Sequence, residues 1–374
     1  MRRLALYFLF FALVVTMFVG NDTVYGYAEE PSVSAKATVL FCADNGKVLF
    51  SQNANDKMKM ASTTKLMTSL ITLEYAEKDN KIVTFTKDMV EEGSSMYLKI
   101  GEQVTLEDLC TGMLLPSGND ASTASAIAIA GSKENFAKLM NLRAKRIGMK
   151  NTNFVTPSGL DDENHYSTAY DMALLMRECL KNKKFCQISG SKGRPVGFVK
   201  PSNKVITYIN HNKLLSTYPY CISGKTGYTE SAGRCLVTAS KKDGVTLIAV
   251  TLNDKNDWED HKALYDYGFS KVKSCNFSGK EIKQAIVGGT KEKVKLEIKG
   301  KTFVLNSENE KISERIIIPP FAYAPIKKGD IAGVVEYVKM GRVIDRQLIT
   351  YRENIDYYRS KKSFWDWIKG IFNG

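Results

Sequence analysis

Three short motifs in this chain place serine and lysine side chains at spacings suited to acyl transfer. In chain order they are Ser62-Thr63-Thr64-Lys65, Ser117-Gly118-Asn119 and Lys225-Thr226-Gly227. A serine hydroxyl is a weak nucleophile until a base removes its proton, and Lys65 follows Ser62 by one helical turn on the same side. Lys65 would serve as that base if burial and a second cation such as Lys225 lowered its pKa.

The second motif supplies a hydroxyl and an amide. We expect Ser117 to relay a proton between Lys65 and the leaving amine of a substrate. Asn119 can donate and accept hydrogen bonds, so we expect it to hold Lys65 and a substrate amide through one side chain. The alternatives are structural: Ser62 could be only a helix N-cap, and the second motif could be only a turn between helices.

The third motif combines a cation with a glycine. Lys225 and Thr226 together are predicted to bind a substrate carboxylate, and Gly227 leaves room for a substrate backbone along a strand edge. Such a site favours a peptide with a free C-terminal carboxylate. Taken alone, this motif is also consistent with a strand-end turn, but the ordered set of three is much less consistent with chance.

The elements that must position these motifs follow from hydrophobic spacing. A helix is predicted to begin at Ala61-Ser62, and Lys225 is expected near the end of an extended run. The other patterns predict strands at 35–42, 47–51, 236–239 and 245–252, helices at 105–115, 120–130, 134–147, 170–180 and 258–269, and extended chain at 206–215 and from 219. We therefore predict an α+β catalytic domain over residues 29–275, with a central antiparallel sheet flanked by helices.

The composition changes near Ser274. Val294, Leu296 and Ile298 alternate with charged residues, which is the pattern of a strand buried on one side. Glycine and proline residues separate further short strands. Residues 276–355 are therefore predicted to form a small all-β domain.

The two ends of the chain carry targeting signals. Two arginines and a short apolar run predict a signal peptide over residues 1–28, with an uncleaved membrane anchor as the alternative. Residues 356–374 predict an amphipathic helix lying in the membrane surface, with a helix docked on the protein's own body as the alternative. The protein is thus expected to be exported and peripheral on the extracytoplasmic face of the cell membrane. Its charge of +13 favours anionic surroundings, and no nucleic-acid motif is present.

The cysteines and histidines predict no metal chemistry. The seven cysteines are widely spread and the three histidines have no partner at ligand spacing, so neither a metal nor another cofactor is expected. Most of the thiols are expected to be buried as small hydrophobic groups. Cys179 and Cys186 are the closest pair in sequence and are the candidates for a disulfide.

The segments around the motifs resemble those of the serine-type D-Ala-D-Ala carboxypeptidases, one group of low-molecular-mass penicillin-binding proteins. The similar segments are residues 61–68, 114–121, 151–160 and 223–229, and the β domain and tail follow the same layout. The resemblance implies a serine β-lactamase/transpeptidase-like catalytic domain. It also implies peptidoglycan stem peptides as substrates and β-lactam antibiotics as inhibitors.

The resemblance also assigns roles to single residues. Ser62 would attack the carbonyl between the two terminal D-alanines, and water would then hydrolyse the acyl-enzyme. The backbone N–H groups of Ser62 and Tyr228 would form the oxyanion hole. Some relatives carry an arginine before the closing helix that helps to bind the substrate carboxylate. Residues 255–260 contain none, so the carboxylate contacts beyond Lys225 and Thr226 stay open.

Two rival functions remain at this point. A β-lactamase uses similar motifs, but its common form adds a glutamate that activates water, and no residue of this chain can be assigned that role. A catalytically idle wall-binding protein would keep the fold without the reaction. The intact motif residues argue against the idle protein, and the β domain and tail argue against the β-lactamase.

Overall fold

The computed structural model describes residues 30–306 and 310–358. The catalytic domain is built on an antiparallel sheet in the order β2-β1-β9-β8-β7. Its strands are β1 (Ala37–Cys42), β2 (Val48–Gln52), β7 (Cys221–Thr229), β8 (Gly233–Lys242) and β9 (Val245–Leu252). Two separate two-stranded sheets pair β3 (Ile82–Thr84) with β4 (Gln103–Thr105) and β5 (Gly193–Gly197) with β6 (Val205–Ile209). The free edge of β7 is therefore one border of this sheet.

Helices cover both faces of the central sheet. They are α1 (Lys65–Ala76), α2 (Leu106–Leu114), α3 (Asn119–Ala130), α4 (Lys133–Ile147), α5 (Ala169–Cys179), α6 (Lys183–Ser189), α7 (Leu214–Thr217) and α8 (Asp257–Lys271). Strand β1 is buried on both sides: Val39 and Phe41 join the core that contains α1, while Leu40 and Cys42 join the core under α8. Alternate residues of a strand point to opposite faces, so one strand supplies both cores.

The predicted helices form where the sequence places them, and local capping explains their bounds. Thr105 and Asp108 form a reciprocal capping box at the start of α2, and the Thr168 hydroxyl caps α5. Gly148 ends α4 with a φ of +93°, a conformation that favours glycine. The α+β fold class is confirmed.

Three local predictions are wrong. Residues 214 and 215, predicted to be extended, begin helix α7, because the Asn212 Oδ1 atom accepts the Leu214 N–H at 3.1 Å and starts a helical turn. Lys225 lies in the middle of β7 and not at its end. The Cys179–Cys186 disulfide does not form: both thiols are free, and the Cys179 Sγ instead donates to the Leu66 carbonyl.

The C-terminal β domain follows α8 directly. Its strands are β10 (Lys273–Phe277), β11 (Lys280–Val287), β12 (Lys293–Ile298), β13 (Lys301–Leu305), β14 (Ile312–Ile317), β15 (Phe321–Tyr323), β16 (Ile331–Lys339) and β17 (Arg342–Tyr351). Six of them form a sheet in the order β14-β16-β17-β12-β11-β15, and β10 pairs with β13. The predicted alternation of Val294, Leu296 and Ile298 is confirmed, since all three are buried in this domain's core.

The predicted signal peptide, residues 1–28, and residues 359–374 of the predicted tail lie outside the described residues. The first three residues of the tail predicted over 356–374 are described and are not helical. Tyr357 forms a β-bridge with Gly289 and the Tyr358 N–H donates to the Gly288 carbonyl, because the chain is still paired with the β domain there. Within 30–306 and 310–358, no helix has the length and apolar character needed to cross a membrane.

Candidate active site

Lys65 is the centre of a buried polar cluster. A short 3-10 turn, Ala61–Thr64, leads into α1 and places Ser62 one turn before this lysine. The Lys65 Nζ atom donates to the Ser62 Oγ at 2.8 Å, to the Asn119 Oδ1 at 2.7 Å and to the Ser158 carbonyl at 2.7 Å. Lys65 is fully buried, whereas Ser62 is only partly covered and can be reached from outside.

The environment of Lys65 favours its neutral form. Burial holds the pKa of the Lys65 amine well below its usual value, and the charge of Lys225 lowers it further. The carboxylates of Asp120 and Glu91 act in the opposite direction and do not cancel these effects. A lysine of this kind can accept the proton of the serine hydroxyl that it already contacts.

Ser117 pairs with a different lysine from the one expected. The Lys225 Nζ atom donates to the Ser117 Oγ at 2.9 Å and to the Thr226 carbonyl at 2.7 Å, and burial lowers its pKa to about 7. Among the residues that the structure describes, the Ser117 hydroxyl is not hydrogen-bonded to Lys65. The site thus contains two hydroxyl–lysine pairs, Ser62 with Lys65 and Ser117 with Lys225.

The second motif is held by a loop that sequence reasoning left unassigned. Ser117 adopts a φ of +65° immediately before α3. Asp120, in the first turn of α3, accepts the Met96 N–H at 2.8 Å and the Ser95 hydroxyl at 2.7 Å. The loop therefore packs against the motif so closely that a Cβ on Gly118 would lie 2.8 Å from the Met96 nitrogen.

Strand β7 passes close to the 3-10 turn Ala61–Thr64, which we call the nucleophile turn because it carries Ser62, the predicted nucleophile. A Cβ on Gly227 would lie 3.0 Å from the backbone nitrogens of both Ser62 and Thr63. Only glycine permits this approach without a shift of the backbone. Lys225, two residues earlier on the strand, points into the buried cluster, and Tyr228, the next residue, is exposed.

His165 connects the nucleophile turn to a third segment. Its Nδ1 accepts the N–H groups of Val155 at 3.0 Å and Thr156 at 3.2 Å, so its Nε2 carries the hydrogen and donates to the Thr64 Oγ1 at 2.8 Å. Burial lowers the pKa of His165 to about 4, which keeps the ring neutral. The ring is thus a structural link and contacts Thr64 rather than Ser62.

Gly159 completes this link. A Cβ there would lie 2.0 Å from the Ala61 carbonyl oxygen, and its φ is +85°. The close approach brings the Ser158 carbonyl onto Lys65. Residues 151–160 carried part of the sequence resemblance, but no pattern in them indicated a contact with Lys65.

Residues 255–260, which contain no arginine, are contacted by an arginine from strand β8. Arg234 of β8 is paired in register with Tyr228 of β7, and its guanidinium donates to the Asp257 carboxylate at 2.5 Å. It also lies 5.8 Å from the centre of the Trp258 ring. The positions 255–260 thus contact an arginine supplied by a neighbouring strand.

Comparison with known families accounts for nearly all of the described chain. A family model described as D-alanyl-D-alanine carboxypeptidase matches residues 26–256. The chain belongs to the D-alanyl-D-alanine carboxypeptidase family. A second model, described as the C-terminal domain of penicillin-binding protein 5, matches residues 272–357 and covers the β domain. The predicted family is confirmed, and membership makes the protein a serine peptidase.

Individual carboxypeptidase relatives match over most of their length. The D-alanyl-D-alanine carboxypeptidase DacF of Bacillus subtilis is 32% identical over 86% of each chain. DacC of Escherichia coli is 32% identical over 97% of this chain and 94% of its own. The crystal structure of penicillin-binding protein 5 from Haemophilus influenzae superposes with a TM-score of 0.64 at 28% identity, covering 87% of this chain and 99% of that one.

Proposed function

We propose that this carboxypeptidase removes the terminal D-alanine from peptidoglycan stem peptides through an acyl-enzyme on Ser62. The observation that supports this most directly is the 2.8 Å hydrogen bond between the Lys65 Nζ and the Ser62 Oγ. The amine is buried and its pKa is lowered, so it can act as the base, while the hydroxyl remains reachable by a substrate.

In the acylation step, Lys65 takes the Ser62 proton as the Oγ attacks the carbonyl between the two D-alanines. The negative oxygen that forms would be stabilised by the backbone N–H groups of Ser62 and Tyr228. The close approach of Gly227 to the Ser62 nitrogen supports this assignment, because it brings β7 beside the nucleophile turn.

The leaving D-alanine needs a proton as its C–N bond breaks. Ser117 is placed to pass one, and its hydrogen bond to Lys225 gives it a proton source. Lys225, with a pKa of about 7, can donate near neutral pH. Proton exchange with solvent returns Lys65 to its neutral form and Lys225 to its charged form. Lys65 then takes a proton from the attacking water and gives it to the Ser62 oxygen as the ester C–O bond breaks. The new carboxylic acid loses its proton to solvent, and the shortened peptide departs as a carboxylate.

The substrate backbone would lie along the free edge of β7 and extend that sheet. Asn119 is already engaged at both ends, because its Oδ1 accepts from Lys65 and its Nδ2 donates to the Glu92 carbonyl at 2.5 Å. A substrate amide would therefore compete with Glu92. Lys225 is also engaged, so for the substrate carboxylate we propose Thr226 with help from the half-exposed Arg234.

Release of D-alanine from a D-Ala-D-Ala-terminated peptide is the direct test. Ser62→Ala should abolish both this release and labelling by penicillin, whereas the distant Ser270→Ala should change neither. A wild-type protein that binds penicillin at Ser62 but releases no D-alanine would contradict the carboxypeptidase proposal. Rapid turnover of penicillin, rather than slow loss of the bound drug, would favour a β-lactamase.

The same proposal places the enzyme outside the cell, at the membrane. A signal peptide over residues 1–28 and an amphipathic tail over residues 356–374 support export and peripheral attachment. Deleting residues 361–374 should release the protein from membranes without loss of D-alanine release. Retention of the shortened protein on membranes would contradict an anchor in the tail.

A further inference from the structure

One end of the β-domain sheet exposes a group of large apolar side chains. The group consists of Val287 on β11, Phe321 and Tyr323 on β15, and Tyr357 and Tyr358 at the end of the described chain. Tyr323 and Tyr358 expose 68% and 70% of their surface. We call these five residues the aromatic patch. Large exposed apolar groups that adjoin one another mark interaction surfaces more often than isolated ones do.

The members of the aromatic patch are neighbours through backbone pairing. Val287 is paired in register with Tyr323, and the rings of Phe321 and Tyr323 are 5.4 Å apart. The Tyr358 N–H donates to the Gly288 carbonyl at 2.9 Å, which places the chain end directly after β11. Val287, Phe321 and Tyr323 therefore form one surface at this edge of the sheet, and the chain end that carries Tyr357 and Tyr358 lies beside β11.

Two lysines without partners flank this surface. Lys283, Ala285 and Val287 are exposed, whereas Gln284 and Ile286, which alternate with them, are buried. Lys283 and Val287 therefore lie on the same exposed side of β11. Lys293 is paired in register with Ala285, which in turn pairs with Phe321. Within residues 30–306 and 310–358, the side chain of neither lysine has a hydrogen bond or an ion pair. Their charges are available to an anionic partner.

We propose that the aromatic patch, with Lys283 and Lys293, binds the headgroup region of an anionic lipid bilayer. Tyrosine suits this region because its ring enters the apolar boundary while its hydroxyl stays in water. Lysines at such a surface gain attraction from anionic lipids. The β domain would then contact the membrane directly instead of only carrying a tail that does.

The place where the described chain ends decides for a membrane over other partners. The sequence continues from Tyr358 into residues 359–374, and its spacing predicts an in-plane helix with Phe364 and Trp367 on the apolar side. Tyr358 is fixed to Gly288, so a tail inserted in the bilayer would hold the aromatic patch next to it. The inference rests on the membrane attachment under the proposed function, but not on the catalytic proposal.

The test measures vesicle binding by the full mature chain. The vesicles consist of phosphatidylcholine alone or mixed with phosphatidylglycerol. The triple variant Val287→Thr, Phe321→Thr and Tyr323→Thr keeps residues that favour strands and should bind the mixed vesicles about tenfold more weakly. Tyr75→Thr, which changes an exposed tyrosine of the catalytic domain, should bind like the wild type.

A second variant separates the electrostatic attraction of the lysines to anionic lipid from the insertion of the apolar side chains. Lys283→Gln with Lys293→Gln alters only exposed side chains, and it should weaken binding to the mixed vesicles by about tenfold and leave binding to pure phosphatidylcholine unchanged. Lys150→Gln, on the exposed surface of the catalytic domain, is the matched control. Less than a twofold change in both the triple and the charge variants would overturn the proposal.

Two further outcomes would also overturn it. If Tyr323 resists iodination in the vesicle-free full chain, the protein's own tail covers the patch. If the wild type self-associates and the triple variant does not, a second copy covers it. D-alanine release in solution is measured for every variant and should stay at the wild-type value. A protein that fails to release D-alanine but binds vesicles as expected would contradict the catalytic proposal alone.

Discussion

The catalytic domain and the β domain differ in the polar side chains that they bury. The first buries two complete lysines, Lys65 and Lys225, within its core. In the described part of the second, Gln284 and Glu336 are the polar side chains with comparable burial. Burying a lysine costs stability unless the amine is hydrogen-bonded or neutral. Among the described residues, lysines are thus buried only in the catalytic domain, where the proposed mechanism uses both of them for proton transfer. The loss of stability from burying lysine is therefore limited to that domain.

The largest effect should come from the contact that aligns Lys65. Gly159→Ala would place a Cβ 2.0 Å from the Ala61 carbonyl and force residues 158–159 away from the nucleophile turn. A displacement of about 1 Å can lower a rate by on the order of a hundredfold, so we expect that loss in kcat for D-alanine release. Gly131→Ala is the control, because Gly131 has a similar φ of +78° but no atom near its Cβ direction. Equal losses in both variants would show that backbone strain, and not the contact, matters.

A core truncation in the β domain should separate stability from activity. Leu296→Ala removes a fully buried side chain and should lower the free energy of unfolding of that domain by about 2–5 kcal/mol. D-alanine release by the protein in solution should not change. Leu247→Ala, at an equally buried position in the catalytic domain, should reduce both quantities. Urea unfolding measures the stability and the release assay measures the activity. A parallel loss of activity in Leu296→Ala would contradict the prediction that the catalytic domain works independently of the β-domain core.

The pH profile should report the two lysines. Release needs neutral Lys65 and protonated Lys225, so kcat/KM should rise with pH as Lys65 loses its proton and fall above about 7 as Lys225 loses its own. Lys225→Arg should lower kcat and remove the alkaline limb, because a guanidinium keeps its charge at every pH of the assay but cannot give a proton to Ser117. Lys150→Arg should leave the profile unchanged. An alkaline limb that stays in place in Lys225→Arg would assign it to another group.

The same lowered pKa values affect stability. The unfolded chain holds protons on these lysines up to about pH 10, whereas the folded chain releases the Lys225 proton near pH 7. The unfolded state therefore binds more protons over this interval, and the contribution to the free energy of unfolding increases as the pH rises through it. Replacement of Lys225 by methionine should remove the part of this increase that Lys225 supplies, so the rise in the free energy of unfolding between pH 6 and pH 9, measured by urea unfolding, should be smaller than in the wild type.

The smallest expected effect concerns Arg234. Arg234→Gln should raise KM for a peptide with a free C-terminal carboxylate by about fivefold, since the guanidinium is half exposed and its charge is screened. Acylation by an analogue without that carboxylate should be unaffected. Arg146→Gln, a charge change on the exposed side of α4, serves as the control. An equal effect on both substrates would point to a packing role beside Asp257 and Trp258 instead.

The sequence was most informative where the chemistry is local. Ser62 and Lys65 share one helical turn, so their contact could be predicted from spacing alone. Lys225 was correctly expected near Lys65, because a base of this kind needs a second cation. The pairing of Ser117 with Lys225 could not be predicted, since it depends on how α3, β7 and the loop at 94–98 pack together.

Other elements were missed because their signals are weak or remote. Helix α6 (Lys183–Ser189) is short, and its pattern is too brief to show a helical period. Gly159 and His165 act through contacts with residues about a hundred positions earlier in the chain, and nothing local distinguishes them from ordinary loop residues. Arg234 lies on β8, 23 positions before its partner Asp257, so its place in the sequence does not indicate the contact with the segment before α8.

The burial of Lys65 and Lys225 also decides how the protein can be handled. Amine-reactive esters modify a lysine only where solvent and reagent reach its nitrogen, and both of these are almost fully enclosed. Exposed lysines such as Lys150 and Lys183 are open to such reagents. The enzyme could thus be coupled to a solid support through surface amines while the nucleophile and its base stay intact. On the proposed mechanism, a support of that kind would retain penicillins from solution as covalent esters of Ser62.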